Sequence, residues 1–263
     1  MSKELTILYP SLFGEMSSPW LEEHKIAKEA SINVSLFDED TLKIKENLDN
    51  QVIIYRGWMI SISDYKKLSD SVNTNGGVMF ISVEQYRKNN TFSNWYNLLS
   101  RYTMKSHFIT DFFNLHEYFN DGQEWFVKDD LKSLGGKKSI ASTPTEAIEI
   151  YDKIQDNRDF IIENNGICLR EVIDIHDEER FFALNGEILG DHEDKDRLDL
   201  ANQIAEKLFR KLGLTFVSID IGRTNLKNIL VEIGGFQVSD ISKEGNEDKI
   251  RECYEILKEK LLL

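Results

Sequence analysis

Over the first hundred residues, short runs rich in β-branched and aromatic side chains alternate with segments of helical spacing, and this alternation restricts the fold more than any other feature. ELTILYP, INVSLFD, QVIIYRGW and GVMFIS read as strands. SPWLEEHKIAKEA, between the first two, reads as a helix with Ser18 as its cap and Pro19 in its first turn. SISDYKKLSDSVNTNGG, between the last two, reads as a helix closed by glycines. Strands separated by helices imply βαβ units and a parallel sheet, so residues 1–107 are expected to form a small α/β domain.

The pattern then changes. TFSNWYNLLSRYTMKSHF reads as a helix and a connecting segment, and EWFVKD as a strand. TPTEAIEIYDKI reads as a helix in which Thr143 and Glu146 form a capping box around Pro144. ICLREVIDI is a strand, and RFFALNGEILGD a hairpin, because Asn185 and Gly186 supply the positive φ angles of a type I′ turn. In DRLDLANQIAEKLFRKLG, the spacing of Leu198, Ala201, Ile204, Ala205, Leu208 and Leu212 predicts a helix stopped by Gly213. FVSIDIGR and NILVEIGG are paired strands, and a terminal helix follows. The fold class is α/β plus α+β, the second part having antiparallel strands with helices on one side.

With 263 residues, the chain can bury one large core or two modest ones. A net charge of −14 repels nucleic-acid phosphates over most of the surface, which argues against broad duplex binding and leaves room for a local basic pocket. No apolar run approaches the ~20 residues that span a bilayer. The first residues lack the basic start of a signal peptide, and a cytosolic protein without membrane partners is expected. Cys168 and Cys253 stand far apart with no metal-ligand spacing, so neither a disulfide framework nor a zinc site is expected.

Charge falls where a plain core strand would have none. In WFVKDDLKSL, Lys128 and Lys132 lie four apart and share a face in either a strand or a helix. One reading is a solvated edge whose aspartates neutralise the lysines; the other is a pair of cations gripping a polyphosphate. In ICLREVIDI, Arg170, Val172 and Asp174 share one face, with Glu171 and Ile173 on the other. Asp220 and Glu232 are each flanked by apolar residues, where an ionised carboxylate costs several kcal/mol unless it is paired or metal-bound. If their strands form a hairpin through residues 223–225, the two lie close together. Such a pair suits Mg²⁺, or it pairs with Arg180, Arg223 or a lysine. Arg180 also has a simple partner in Asp191 across the Asn185–Gly186 turn. His176 and His192 sit in acidic loops and read as solvated. Serine-hydrolase, phosphate-loop and dinucleotide-binding signatures are absent. Arg56 and Trp58, in YRGWM, bind an acidic or planar group or else pack an interface.

Taken in order, YRGWM, NWYNLLSRYT, FVKDDLKS, LREVIDIHDEERFFALNGEIL and VSIDIGR…LVEIGGFQVS, spanning Val52 to Ser239, resemble the ATP-grasp superfamily, and within it the clade named for one arginine and two lysines. The resemblance implies a Rossmann-like pre-ATP-grasp domain, 1–107, followed by an ATP-grasp domain, 108–263, with ATP between two α+β lobes. By position, Lys128 and Lys132 are the clade's lysines and Arg170 its arginine, all directed at phosphates. Glu171, Val172 and Ile173 meet adenine at the hinge, and Asp174 reaches the ribose. Arg180 adds charge near the γ-phosphate, and Asp220 and Glu232 hold Mg²⁺. Arg170, Arg180 and Lys132 are then the catalytic candidates. One departure is Gly234, where many of these enzymes carry an asparagine as a further metal ligand.

The activity implied is activation of a carboxylate as an acyl phosphate for attack by an amine or similar nucleophile, on a small molecule, a peptide or a protein. Fixed cations suit that chemistry, because negative charge spreads over the γ-phosphoryl oxygens during transfer. Two other readings stay open. One is an ATP-binding assembly factor, as for the clade's eukaryotic cell-division-cycle relative that helps assemble a translation initiation factor. The other is a non-enzymatic protein with structural charges.

Overall fold

Parallel pairing organises the first layer. β1 (Glu4–Leu12) is flanked by β3 (Asn33–Asp38) on one side and β4 (Gln51–Tyr55) on the other, both parallel to it, and β5 (Val78–Met79) extends the sheet beyond β4. β2 (Glu15–Met16) folds back antiparallel on the end of β1. The computed structural model describes residues 4–16, 20–158, 166–239 and 247–261. Ser18 and Pro19 lie outside these, and the first helix, α1, runs Leu21–Glu29. α2 (Ile62–Thr74) starts where the Ser61 hydroxyl accepts the Asp64 amide. Between β3 and β4 the chain crosses without a helix. GVMFIS contributes only its Val78–Met79 pair to the sheet, because Ser82 caps a further helix, α3 (Val83–Asn90), through a capping box with Gln85.

After α4 (Phe92–Leu99), two antiparallel sheets follow. The first has the order β6 (Ser106–Ile109), β9 (Ile167–Glu171), β7 (Trp125–Lys128), β8 (Ile140–Ala141). Ser106 already pairs with Arg170, so the division expected at residue 107 falls inside a strand. α5 (Pro144–Asp156) covers one face through Ala147, Ile150, Tyr151 and Ile154. Thr143 caps it as expected, while Glu146 reaches one residue further back than a capping box requires, accepting from the Ser142 amide at 2.7 Å.

The second sheet has the order β11 (Glu187–Ile188), β10 (Asp177–Leu184), β12 (Phe216–Arg223), β13 (Asn228–Gly235). Asn185 (φ 53°) and Gly186 (φ 84°) form the predicted turn. α6 (Lys195–Leu212) packs its predicted stripe on this sheet and stops at Gly213, whose φ of 69° belongs to the left-handed region. β9 ends at Glu171, and residues 172–176 cross from one sheet to the other; Asp174 therefore shares no strand face with Arg170.

α7 (Glu247–Leu261) returns to the first layer, where Ile250, Cys253, Tyr254 and Leu257 join the same core as Ile7, Leu8 and Tyr9. At this seam Arg56, fully buried, forks onto both oxygens of Glu23 at 2.7 and 2.8 Å and donates to the carbonyls of Phe236 and Ser239. Burial alone lowers the Arg56 pKa, but the Glu23 carboxylate outweighs it and the net shift is upward. Arg56 is thus a bolt between layers and not a ligand-binding residue. Trp58 keeps half its surface exposed and packs edge-on against Trp20. Among the described residues no helix is long and apolar enough to cross a membrane.

Candidate functional site

Lys128 ends β7, and the next four residues fold into a tight turn in which the Asp129 amide donates to the Lys132 carbonyl at 2.9 Å. Neither a strand nor a helix period therefore carries over to Lys132, and the two lysines part. Lys128, 2% exposed, points between the sheets, where its Nζ lies 3.0 Å from Glu232 Oε1. Lys132 is exposed on the rim of a cavity toward the first layer.

Both aspartates are engaged by other groups. Asp129, fully buried, accepts the amides of Leu131 and Lys132 at 2.6 Å each, the Gln155 side chain at 3.2 Å, and the Arg158 guanidinium. Asp130 accepts both the amide and the hydroxyl of Ser93, at 2.7 and 2.8 Å, supplying α4 with the cap that Thr91 does not make.

Arg170, on β9, faces the same space as Lys128 and is 4% exposed. Its Nη2 donates to Thr103 Oγ1 and to the Val231 carbonyl, each at 2.9 Å. The Val231 carbonyl is available because the β12–β13 ladder slips here: Ile221 pairs with Leu230 but Asp220 with Glu232, leaving Val231 as a bulge. The same slip sets Asp220 and Glu232 directly opposite each other. The Phe92 ring lies beside both cations, 5.1 Å from Lys128 Nζ and 5.4 Å from Arg170 Cζ. Burial pushes the Arg170 pKa down.

Arg180 pairs in register with Asp220, not with Asp191, and grips both its oxygens at 2.7 and 2.8 Å. That hydrogen bonding, outweighing burial, raises the Arg180 pKa. Arg223 turns instead to Asp194. Burial would raise the Glu232 carboxyl, but Lys128 beside it, with Arg170 and Arg180 behind, outweighs burial and holds it below its ordinary value. Glu232 still keeps 45% of its side-chain area open, so surrounding cations rather than loss of solvent define its setting.

Glu171, Val172 and Asp174 are exposed and Ile173 half-buried along the crossing between the sheets, with the Glu171 amide tied to the Lys105 carbonyl. His176 is exposed as expected. His192 is not: it lies against Phe181 and 2.9 Å from Glu179. Among the described residues no three metal-ligating side chains converge. At Gly234, a Cβ would stand 2.8 Å from Ser218 Oγ, so the backbone is packed where an asparagine would otherwise project. Sequence reasoning missed Phe92, Thr103, Asp129, Asp130 and Arg158. The charge of the aspartates was visible, but Gln155, Arg158 and Ser93, which they meet, lie 26 to 37 residues away.

Two antiparallel sheets with cations from both converging on paired carboxylates define an ATP-grasp protein, and the comparisons agree. Residues 122–252 match the family model for the ATP-grasp domain of the clade named for one arginine and two lysines, family 3, and the chain belongs to that clade. No curated protein matches the chain. Among solved structures, the chain resembles a RimK domain ATP-grasp protein from Sphaerobacter thermophilus at 8% identity and a TM-score of 0.63, covering 98% of this chain and 100% of the other. It resembles D-alanine–D-alanine ligase from Bacillus anthracis complexed with ATP at 8% identity and a TM-score of 0.62, covering 100% and 96%. The macrocyclase MdnC from Microcystis aeruginosa, bound with its precursor peptide, is similar at 13% identity and a TM-score of 0.58, covering 96% and 99%.

Proposed function

We propose that the chain is a Mg-ATP-dependent ligase that activates a carboxylate for attack by an amine or similar nucleophile. The observation that carries this reading is the convergence of Lys128, Arg170 and Arg180 on the Asp220–Glu232 pair, between two sheets, in a chain of net charge −14. In this reading the parallel layer of the first hundred residues is a Rossmann-like pre-ATP-grasp domain and the two antiparallel sheets after it form the ATP-grasp domain, with the division before β6 instead of at residue 107. Lys128, Lys132 and Arg170 bind phosphates, and Arg180 stabilises charge on the γ-phosphoryl group. Backbone groups of Glu171, Val172 and Ile173 meet adenine, and Asp174 meets the ribose.

A donor carboxylate oxygen attacks the γ-phosphorus and the bond to the bridging oxygen breaks, releasing ADP and leaving an acyl phosphate. The amine then forms a bond to the acyl carbon, phosphate leaves, and the amine's surplus proton passes to solvent. The fixed cations favour the first step because they meet developing negative charge with little reorganisation. Two hard carboxylates suit Mg²⁺, which when bound would neutralise phosphate charge. Glu232 has its Oε2 open to such an ion, whereas Asp220 must first be given up by at least one nitrogen of Arg180. Substrates on a small molecule, a peptide or a protein all fit the class; the neighbours above include one complexed with ATP and one bound to a precursor peptide. The same reading places the protein in the cytosol, with buried Cys168 and Cys253 as free thiols.

The packed backbone at Gly234 favours a second reading, an ATP-binding assembly factor without ligase turnover, since it removes one metal ligand of the usual set. Calorimetry of Mg-ATP with wild type, Lys128→Ala and Glu232→Ala tests both. Binding by wild type that both substitutions weaken is expected, and absence of wild-type binding would sink either reading. ADP release that requires both a carboxylate and an amine then marks the ligase.

A further inference from the structure

A cavity of about 560 Å³ opens between the first layer and the turn after β7, within the roughly 300–1,000 Å³ range of small-molecule sites. It touches Pro10, Phe37 and Tyr55, which lie at the carboxyl ends of β1, β3 and β4. β1 is the first strand, and the chain adds β3 to one side of it and β4 to the other, so the strand order reverses there. The crevice at such a reversal, outside the carboxyl ends of parallel strands, is where open α/β sheets bind ligands.

The walls differ in chemistry. Phe37, Leu42, Tyr55, Trp58, Leu134 and Ile154 supply an apolar lining, with half of Trp58 still exposed. The first-layer wall carries two carboxylates, Glu39 and Asp64, both half-buried. Asp64 accepts from Ser61 and from Lys67, but Lys67 is 66% exposed, so that ion pair is weak and an ammonium inside the cavity competes with it on favourable terms. The opposite wall carries Lys132 and Arg158. Arg158 is committed to Asp129, and Lys132 is the exposed cation of that wall. Acid faces base across an apolar floor.

We propose that this cavity binds the acyl donor, and that the donor is a zwitterion with a bulky apolar body, its ammonium held by Glu39 and Asp64 and its carboxylate turned toward Lys132. The assignment rests on the ligase reading above for the donor's role and on the cavity alone for its chemistry. An uncharged apolar acid gains nothing from the negative charge of the acidic wall, and a polar amino acid leaves the aromatic lining in contact with water. A free aromatic amino acid and a short apolar peptide with free ends share the required chemistry.

The test is calorimetric titration of the full chain with phenylalanine, with phenylalanyl-leucine, and with the N-acetylated and C-amidated form of each, with and without Mg-ATP. Wild type is expected to bind at least one free zwitterion, to lose tenfold or more on N-acetylation, and to lose affinity on C-amidation. The tighter of the two compounds identifies a free amino acid or a peptide as the source. In a Glu39→Gln, Asp64→Asn variant, the penalty for N-acetylation should shrink to under threefold while Mg-ATP binding is unchanged. Trp58→Ala should weaken free and acetylated forms alike. The proposal is overturned if wild type binds neither zwitterion, or binds acetylated forms as well as free ones, or if the double variant keeps the full penalty. Failure of Mg-ATP to bind wild type instead overturns the ligase reading, and the nucleotide-free titrations still decide the cavity's chemistry.

Discussion

Replacing Asp129 by asparagine should unfold the protein at a much lower temperature although it changes a single atom. The Asp129 carboxylate is fully buried and the Arg158 side chain is 8% exposed, so the substitution removes the carboxylate charge that this guanidinium meets in the interior. Removing one partner of a buried pair costs roughly 3–5 kcal/mol, and the amide can still accept the Leu131 and Lys132 N–H groups, which places Asp129→Asn near the lower end, at about 3 kcal/mol. At roughly 2–4 °C per kcal/mol for a chain of this size, Tm should fall by about 6–12 °C. Thermal unfolding followed by circular dichroism reads the shift, and a cycle with Arg158→Met isolates the pair. The double variant should be less damaged than the sum of the single ones by more than about 1 kcal/mol. Strict additivity, or a Tm within about 2 °C of wild type by this same scale, would refute the claim that the pair holds the turn.

Three further outcomes follow from the geometry. Arg56→Met should cost about 3–5 kcal/mol in urea unfolding, because Glu23 is left buried beside Tyr9 and Tyr254, and adding Glu23→Gln should recover part of it. Because the folded Glu232 pKa is depressed, its ionisation contributes stability above the unfolded carboxyl value and this is lost as pH falls through the folded one; Lys128→Met should raise the Glu232 pKa in an NMR titration and flatten that acid dependence. Gly234→Ala should destabilise by about 1–3 kcal/mol through contact with Ser218 Oγ, with Ser218→Gly relieving it in the same denaturation assay.

How far the sequence could be read depended on whether a feature was local. The Asn185–Gly186 turn and the end of α6 at Gly213 are decided by the φ angles of single residues, and both were legible. The nearness of Asp220 and Glu232 was legible from hairpin pairing, but their direct facing was not, because the register from the loop alone would set Asp220 against Val231. A carboxylate in an apolar run says that a cation must meet it but not which one: Lys128 lies 104 residues from Glu232, and Arg180 preferred Asp220 to Asp191 because β11 stops at Ile188. The bulge at Val231 left no mark in composition or period. Lys132 shows the limit most plainly, as a face shared at i and i+4 presumes an unbroken strand or helix, and the Asp129 turn breaks both. The cavity was invisible because its walls come from five stretches, at 10, 37–42, 55–64, 131–134 and 154–158, which meet only once the first layer and the turn after β7 have folded against each other.

The return of α7 to the first layer sets the order in which the protein can be made. Tyr254 hydrogen-bonds to Glu23 across 231 residues, and Leu257 closes a core that begins at Leu5. A chain still being synthesised can pair β1 with β3 and β4, but the seam that α7 covers stays open to water until α7 itself has left the ribosome. Between those moments the face of α1 that meets α7 has no cover, and chaperone binding during synthesis should concentrate there.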